Sequence, residues 1–115
     1  MIVVVIAALS LLVATEPFED LTLRLSQEPT DVACEQMETW VAQHHDRDDA
    51  ARGLLWIARK RLDDRDRDAA RAALARGTSG RGRFGAEATR LLSAMDVEDG
   101  RFDDATELAA RLDAS

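Results

Sequence analysis

A single cysteine, Cys34, occurs in 115 residues. An intrachain disulfide and a cysteine pair for structural zinc are therefore both excluded, and the thiol reads as a small buried residue. Proline is equally scarce, with two residues at positions 17 and 29. Glycine is sparse, and β-branched residues thin out after the first fourteen positions. Long helices meet few breakers in such a chain, and strands have few formers, so the fold class is all-α. Positive charge is also in deficit: 15 Lys and Arg face 22 Asp and Glu, for a formal charge of −7. Phosphate recognition needs a basic surface, so nucleic acid is not an expected partner. No serine, histidine and acid stand in a recognisable nucleophile context. The stretch from Thr78 to Arg83 holds glycines and two arginines but lacks the lysine-serine or lysine-threonine ending of a phosphate loop, and no strand precedes it. The chain reads as a non-enzyme with no cofactor.

One long apolar run is present. Met1 to Ala14 contains Ser10 as its only polar side chain. As a helix it would extend about 21 Å, short of a hydrocarbon core of about 30 Å. Its length suits the apolar region of a signal peptide. Cleavage after Ala14 would place Leu12 and Ala14 at the recognition positions. Its start carries no lysine or arginine, and no cysteine follows it for lipidation. Residues 1–15 are therefore expected to be a signal peptide or a short membrane anchor, forming an apolar N-terminal helix. Residues 16–115 are expected to be an exported or anchored helical domain, with membrane association through residues 1–14. No second long apolar run follows.

Helical periodicity continues along that domain. Phe18, Leu21 and Leu25 share a face before Pro29 breaks the helix. Thr30 or Asp31 can cap the next helix, where Ala33, Met37, Trp40, Val41 and His44 align. A polar junction from His44 to Asp49 follows, with Asp48 or Asp49 placed to cap the third helix. That helix, Ala50 to Leu62, has Ala50, Leu54, Ile57 and Ala58 on one stripe and Trp56 about 200° from Leu54. A helix apolar on two sides packs between neighbours, so this one is expected in the middle of the structure. Asp63 to Asp68 reads as a solvated junction. Ala69, Ala70, Ala73 and Leu74 form a further helix, with Gly77 as its cap.

Leu91 to Leu112 closes the chain as helix, tight turn, helix. Leu91, Leu92 and Met95 form one stripe, and Asp96 to Asp99 is a polar end. Gly100 permits the turn. Asp103 and Asp104 favour the positive end of the next helix, whose stripe is Ala105, Leu108, Ala109 and Leu112. So short a turn makes the two helices antiparallel neighbours. Gly100, Phe102 and Ala105, with Leu92 and Ser93 before them, resemble the middle of a tetratricopeptide repeat. Asp96 and Ala109 depart from that pattern, which usually has bulkier residues there. A shift of 35 residues aligns Ile57 with Leu92, Leu62 with Val97, Asp64 with Asp99, Ala70 with Ala105 and Ala73 with Leu108. It also places Leu54 on Thr89, Trp56 on Leu91 and Arg67 on Phe102. The resemblance implies antiparallel helical hairpins stacked as a short solenoid, in which about three hairpins suffice for stability.

Two side-chain sets could carry function. Arg52, Trp56, Arg59 and Lys60 fall on one helix face, where basic groups around an indole could hold a carboxylate-bearing peptide. The alternative is Trp56 packed against the first hairpin, with the basic residues paired to nearby aspartates. His44 and His45, beside Asp46, Asp48 and Asp49, could suggest a metal site. However, adjacent helical histidines point about 100° apart, and solvated histidines at a helix end are the simpler reading. The expected function is protein or peptide binding on a helical face, through Arg52, Trp56, Arg59 and Lys60. The alternatives are a structural subunit of an envelope complex and a small metal-handling protein using His44 and His45.

Overall fold

A computed structural model describes residues 16–44 and 47–114. The expected leader, residues 1–15, lies outside the described residues, as do His45 and Asp46. Six helices account for the described part: α1 Phe18–Leu25, α2 Thr30–Gln43, α3 Arg47–Asp63, α4 Arg67–Gly77, α5 Arg83–Glu98 and α6 Phe102–Ala114. No strand occurs among the described residues, in keeping with the all-α expectation. No helix among them is long and apolar enough to cross a membrane.

The two prolines act at helix starts rather than within helices. Pro17 precedes α1 and Pro29 precedes α2, both at φ near −60°, the value their rings impose. Capping of α2 by Thr30 or Asp31 is therefore corrected. Pro29 takes the cap position and both residues lie inside the first turn, where Asp31 instead reaches Arg61 of α3 at 2.6 Å. Leu21 and Leu25 of α1 are fully buried, as are Ala33 and Met37 of α2. Trp40 joins the two helices: its ring lies 5.2 Å from that of Phe18, and its Nε1 donates to the Glu16 carbonyl at 3.3 Å.

Helix α3 packs against α2, α4 and α5, the central position that its two-sided apolarity predicts. It buries Ala51, Leu54, Leu55, Ile57 and Ala58. Gly77, expected to cap α4, is instead its last helical residue, and Thr78 takes the cap position in a right-handed conformation. Gly77 serves packing instead. A Cβ there would sit 3.1 Å from Cβ of Ala88 and 3.7 Å from Cβ of Leu54, so its bare backbone lets α3, α4 and α5 meet.

The offset of 35 reappears in backbone geometry. At the α3–α4 turn, Asp66 N–H donates to the Arg61 carbonyl and Arg65 N–H to that of Leu62. At the α5–α6 turn, Arg101 N–H donates to Asp96 and Gly100 N–H to Val97. Each group is displaced by 35 positions, and the left-handed residue of each turn, Arg65 at φ 62° and Gly100 at φ 79°, keeps the same register. This pairing of bonds closes a helix by satisfying its last carbonyls. Asp96, in the stretch read as the polar end of its helix, is 3% exposed and joined to Arg71 of α4. Arg71 also holds Asp99, whose carboxyl it keeps below the usual range with help from Arg67.

Candidate functional site

The outward face of α3 carries the four residues singled out by spacing. Arg52 is the most constrained. Its guanidinium lies 3.9 Å from the centre of the Phe18 ring and 5.2 Å from that of Phe84, so α1 and α5 hold it from two sides. Its Nη2 donates to Glu19 of α1 at 2.6 Å, which holds the Glu19 carboxyl below its ordinary value, helped by a bond from the Glu19 backbone. Trp56 follows one turn on, half-buried, with part of its indole packed against the core. Another turn places the Lys60 ammonium 6.0 Å from the centre of that indole. Arg59 is 62% exposed and reaches Glu87 of α5 only at 3.7 Å, while Glu87 also contacts Arg90 at 3.4 Å.

The four residues thus share one face, flanked by α1 and α5, in three different states. Arg52 is locked, Arg59 is loosely paired, and Lys60 has no carboxylate partner among the described residues. Arg59 and Lys60 keep donors for an incoming acceptor, and Trp56 gives an apolar surface between them and Arg52. Leu91, the residue aligned with Trp56 at an offset of 35, is half-buried on α5. Sequence periodicity did not reveal Phe18, Glu19, Phe84 or Glu87 as neighbours. They lie on other helices, and only packing brings them to α3.

The histidine set takes a different form. The His44 ring stacks on Trp40 with centroids 3.6 Å apart, and its Nδ1 lies 2.6 Å from the Trp40 carbonyl oxygen. Among the described residues, no group of three or more His, Cys, Asp or Glu is placed to hold a metal ion. Cys34 is buried, and burial pushes its thiol up.

The loop before α5 has a structural occupant. The Asp48 carboxylate accepts from the backbone N–H of Gly82 at 3.0 Å, of Gly85 at 2.9 Å and, more weakly, of Phe84 at 3.4 Å. The expectation that Asp48 caps its own helix is corrected: from the first turn of α3 it caps α5. These donors are ones that a helix N-terminus leaves open, and a carboxylate there also meets the positive end of the dipole. Asp48→Ala is expected to lower the unfolding free energy by about 2 kcal/mol, the upper range for loss of a cap, as measured by urea unfolding. Asp49→Ala serves as the control, with little change expected.

Among the clefts elsewhere in the described residues are two between helices. One, of about 280 Å³, separates α2 from α4 over Ile57. The other, of about 340 Å³, separates α4 from α6 over Leu92, the residue aligned with Ile57. In the first, Arg61 and Arg76 are tied to Asp31 and Glu38, so its cations are already neutralised within the chain.

No protein-family model matches this chain, no characterised protein matches it, and no solved structure matches it.

Proposed function

We propose that the chain is a non-enzymatic interaction module that captures a peptide or protein segment on the α3 face, between α1 and α5. The observation that carries this reading is the half-exposed Trp56, set between Lys60, which has no carboxylate partner among the described residues, the loosely held Arg59 and the fixed Arg52. An indole ringed by cations offers apolar contact and charge-assisted hydrogen bonds together, the combination that anchors binding surfaces. The contact scheme supports a short solenoid resembling tetratricopeptide repeats: α3 meets α4 and α5, α4 meets α5, and α5 meets α6. In such an array neighbouring hairpins build one continuous surface. The apolar run at residues 1–14 supports a module exported or anchored at a membrane.

The structural-subunit reading has one observation in its favour. Arg52 already spends its donors on Glu19 and its faces on two phenyl rings, as a purely structural arginine would. Selection of phage-displayed random twelve-residue peptides on the full chain decides between the two. Capture requires enriched sequences that compete with one another and lose binding to an Arg59→Glu/Lys60→Glu variant. Absence of enrichment, or equal binding to that variant, leaves the structural reading.

A further inference from the structure

The α2–α4 cleft and the α4–α6 cleft share one plan. Ile57 and Leu92 lie beneath them, and the 35-residue offset that relates these two also relates Ala73 to Leu108 and Arg76 to Arg111. The opposite walls match in spacing. Asp31, Glu35 and Glu38 of α2 line the first cleft, and Arg71, Ala75 and Thr78 of α4 line the second, each set spaced by four residues and then three. That spacing lays the side chains along one helix face. Arg52, Trp56, Arg59 and Lys60 are not among the residues lining either cleft.

The α2–α4 cleft is bridged at both ends. Asp31 meets Arg61 at 2.6 Å, and the Glu38 carboxylate accepts two bonds from Arg76, at 2.6 and 3.0 Å. In the α4–α6 cleft, Arg71 and Asp96 repeat the first bridge with its charges exchanged. The second bridge is not repeated among the described residues. Arg111 stands where Arg76 does, but Ala75 and Thr78 take the places of Glu35 and Glu38. The Thr78 hydroxyl donates to the Ala75 carbonyl at 2.8 Å. Arg111 keeps a contact with Glu107 of its own helix at 3.4 Å, in a pair whose side chains are 57% and 70% exposed. So open a pair contributes little and yields readily to a better-placed carboxylate.

The shorter side chains on α4 also leave room: this cleft holds about 340 Å³, against about 280 Å³ for the other. Space and charge therefore call for the same group, a glutamate beside an arginine. Arginine and carboxylate suit each other because two parallel bonds can form, as Arg76 and Glu38 show. Apart from Arg111, the α6 wall sets Asp104 and Glu107 against Arg101, which disfavours a run of acids.

We propose that the α4–α6 cleft receives a glutamate of a partner polypeptide, one set among uncharged residues. Arg111 holds its carboxylate as Arg76 holds Glu38, and its methylene groups lie over Leu92 and Leu108.

Phage-displayed twelve-residue peptides with one central glutamate and random flanks test this cleft. They are selected on the full chain carrying Arg59→Glu/Lys60→Glu, so that the α3 face does not contribute. The expected result is enriched peptides whose Kd rises by about tenfold or more when their glutamate becomes glutamine, the loss usual for a hydrogen bond to a charged group. Arg111→Gln in the chain should cost the same, and the two changes together no more than either alone. Thr78→Glu should weaken binding similarly, by giving Arg111 a carboxylate from within the chain, with helicity unchanged. No enrichment overturns the proposal, as do enriched peptides that bind Arg111→Gln undiminished. Binding that ignores Thr78→Glu overturns the placement between α4 and α6. Each of these failures leaves the α3 face untouched, because that face is tested with Arg59 and Lys60 in place.

Discussion

Arg71→Met is expected to lower the unfolding free energy by about 3 kcal/mol. With unfolding entropies usual for this size, Tm should fall by about 15 °C. The effect comes less from what Arg71 contributes than from what it leaves behind. Asp96 is 3% exposed, and Arg71 is its ion-pair partner, itself largely covered at 19% side-chain exposure. A carboxylate that deep is stable only while its charge is matched and its lone pairs are satisfied. Methionine fills much of the arginine volume, so packing changes little and the unmatched charge dominates. Replacing both partners separates the two effects. Arg71→Met/Asp96→Leu should recover most of the loss, because a buried pair exchanged for apolar residues of similar size is close to neutral. Urea unfolding of both variants makes the comparison. An Arg71→Met protein within about 0.5 kcal/mol of the parent would show that the α4–α5 pair does not carry this load.

Gly85→Ala should also be strongly destabilising, by about 2–3 kcal/mol. The sign is unusual. In a helix interior, alanine is normally favoured over glycine by about 1 kcal/mol, and Gly85 lies in the first turn of α5. A Cβ at this position would overlap the Gly80 carbonyl group, and backbone cannot swing aside as a flexible side chain can. The loop must therefore shift, carrying with it the Gly82 N–H that Asp48 binds. Gly100→Ala provides the contrast. There φ is 79° and nothing lies within 4 Å of a new Cβ, so only the left-handed conformation is penalised, at about 1 kcal/mol. Thermal unfolding of the two variants should rank Gly85→Ala clearly below Gly100→Ala; the reverse order would contradict the close contact between loop and helix.

These two sites show where sequence reading succeeds and where it stops. Periodicity exposes which face of a helix is apolar, so the central place of α3 follows from Leu54, Ile57 and Ala58 on one side and Trp56 on another. The 35-residue offset is visible in five aligned residues, and the structure finds the same offset in two turns. Periodicity does not say which helix a polar residue will meet. Asp48 looked like a cap for the helix it begins, but it caps one that starts 35 residues later, because α3 and α5 lie side by side. Asp96 read only as part of a polar helix end, which gives no hint that its angular position turns it toward Arg71 of α4. Arg65 had no feature to suggest a left-handed turn; only its alignment with Gly100 carries that information. For the candidate site, the spacing of Arg52, Trp56, Arg59 and Lys60 placed all four on one face. Their differing states depend on Glu19 and Glu87 of other helices, which spacing within α3 cannot reveal.

The central claim is that α3 is core on one side and a partner surface on the other, with Trp56 on the boundary. Its most direct test measures two quantities on one variant, Trp56→Ala: the affinity for a peptide selected on the parent chain, and the free energy of unfolding. The account predicts that affinity falls by about tenfold or more, as for an aromatic anchor, while stability falls by about 1 kcal/mol, less than a fully buried tryptophan would cost. A loss of about 3 kcal/mol or more with affinity unchanged would make Trp56 a core residue and contradict the claim.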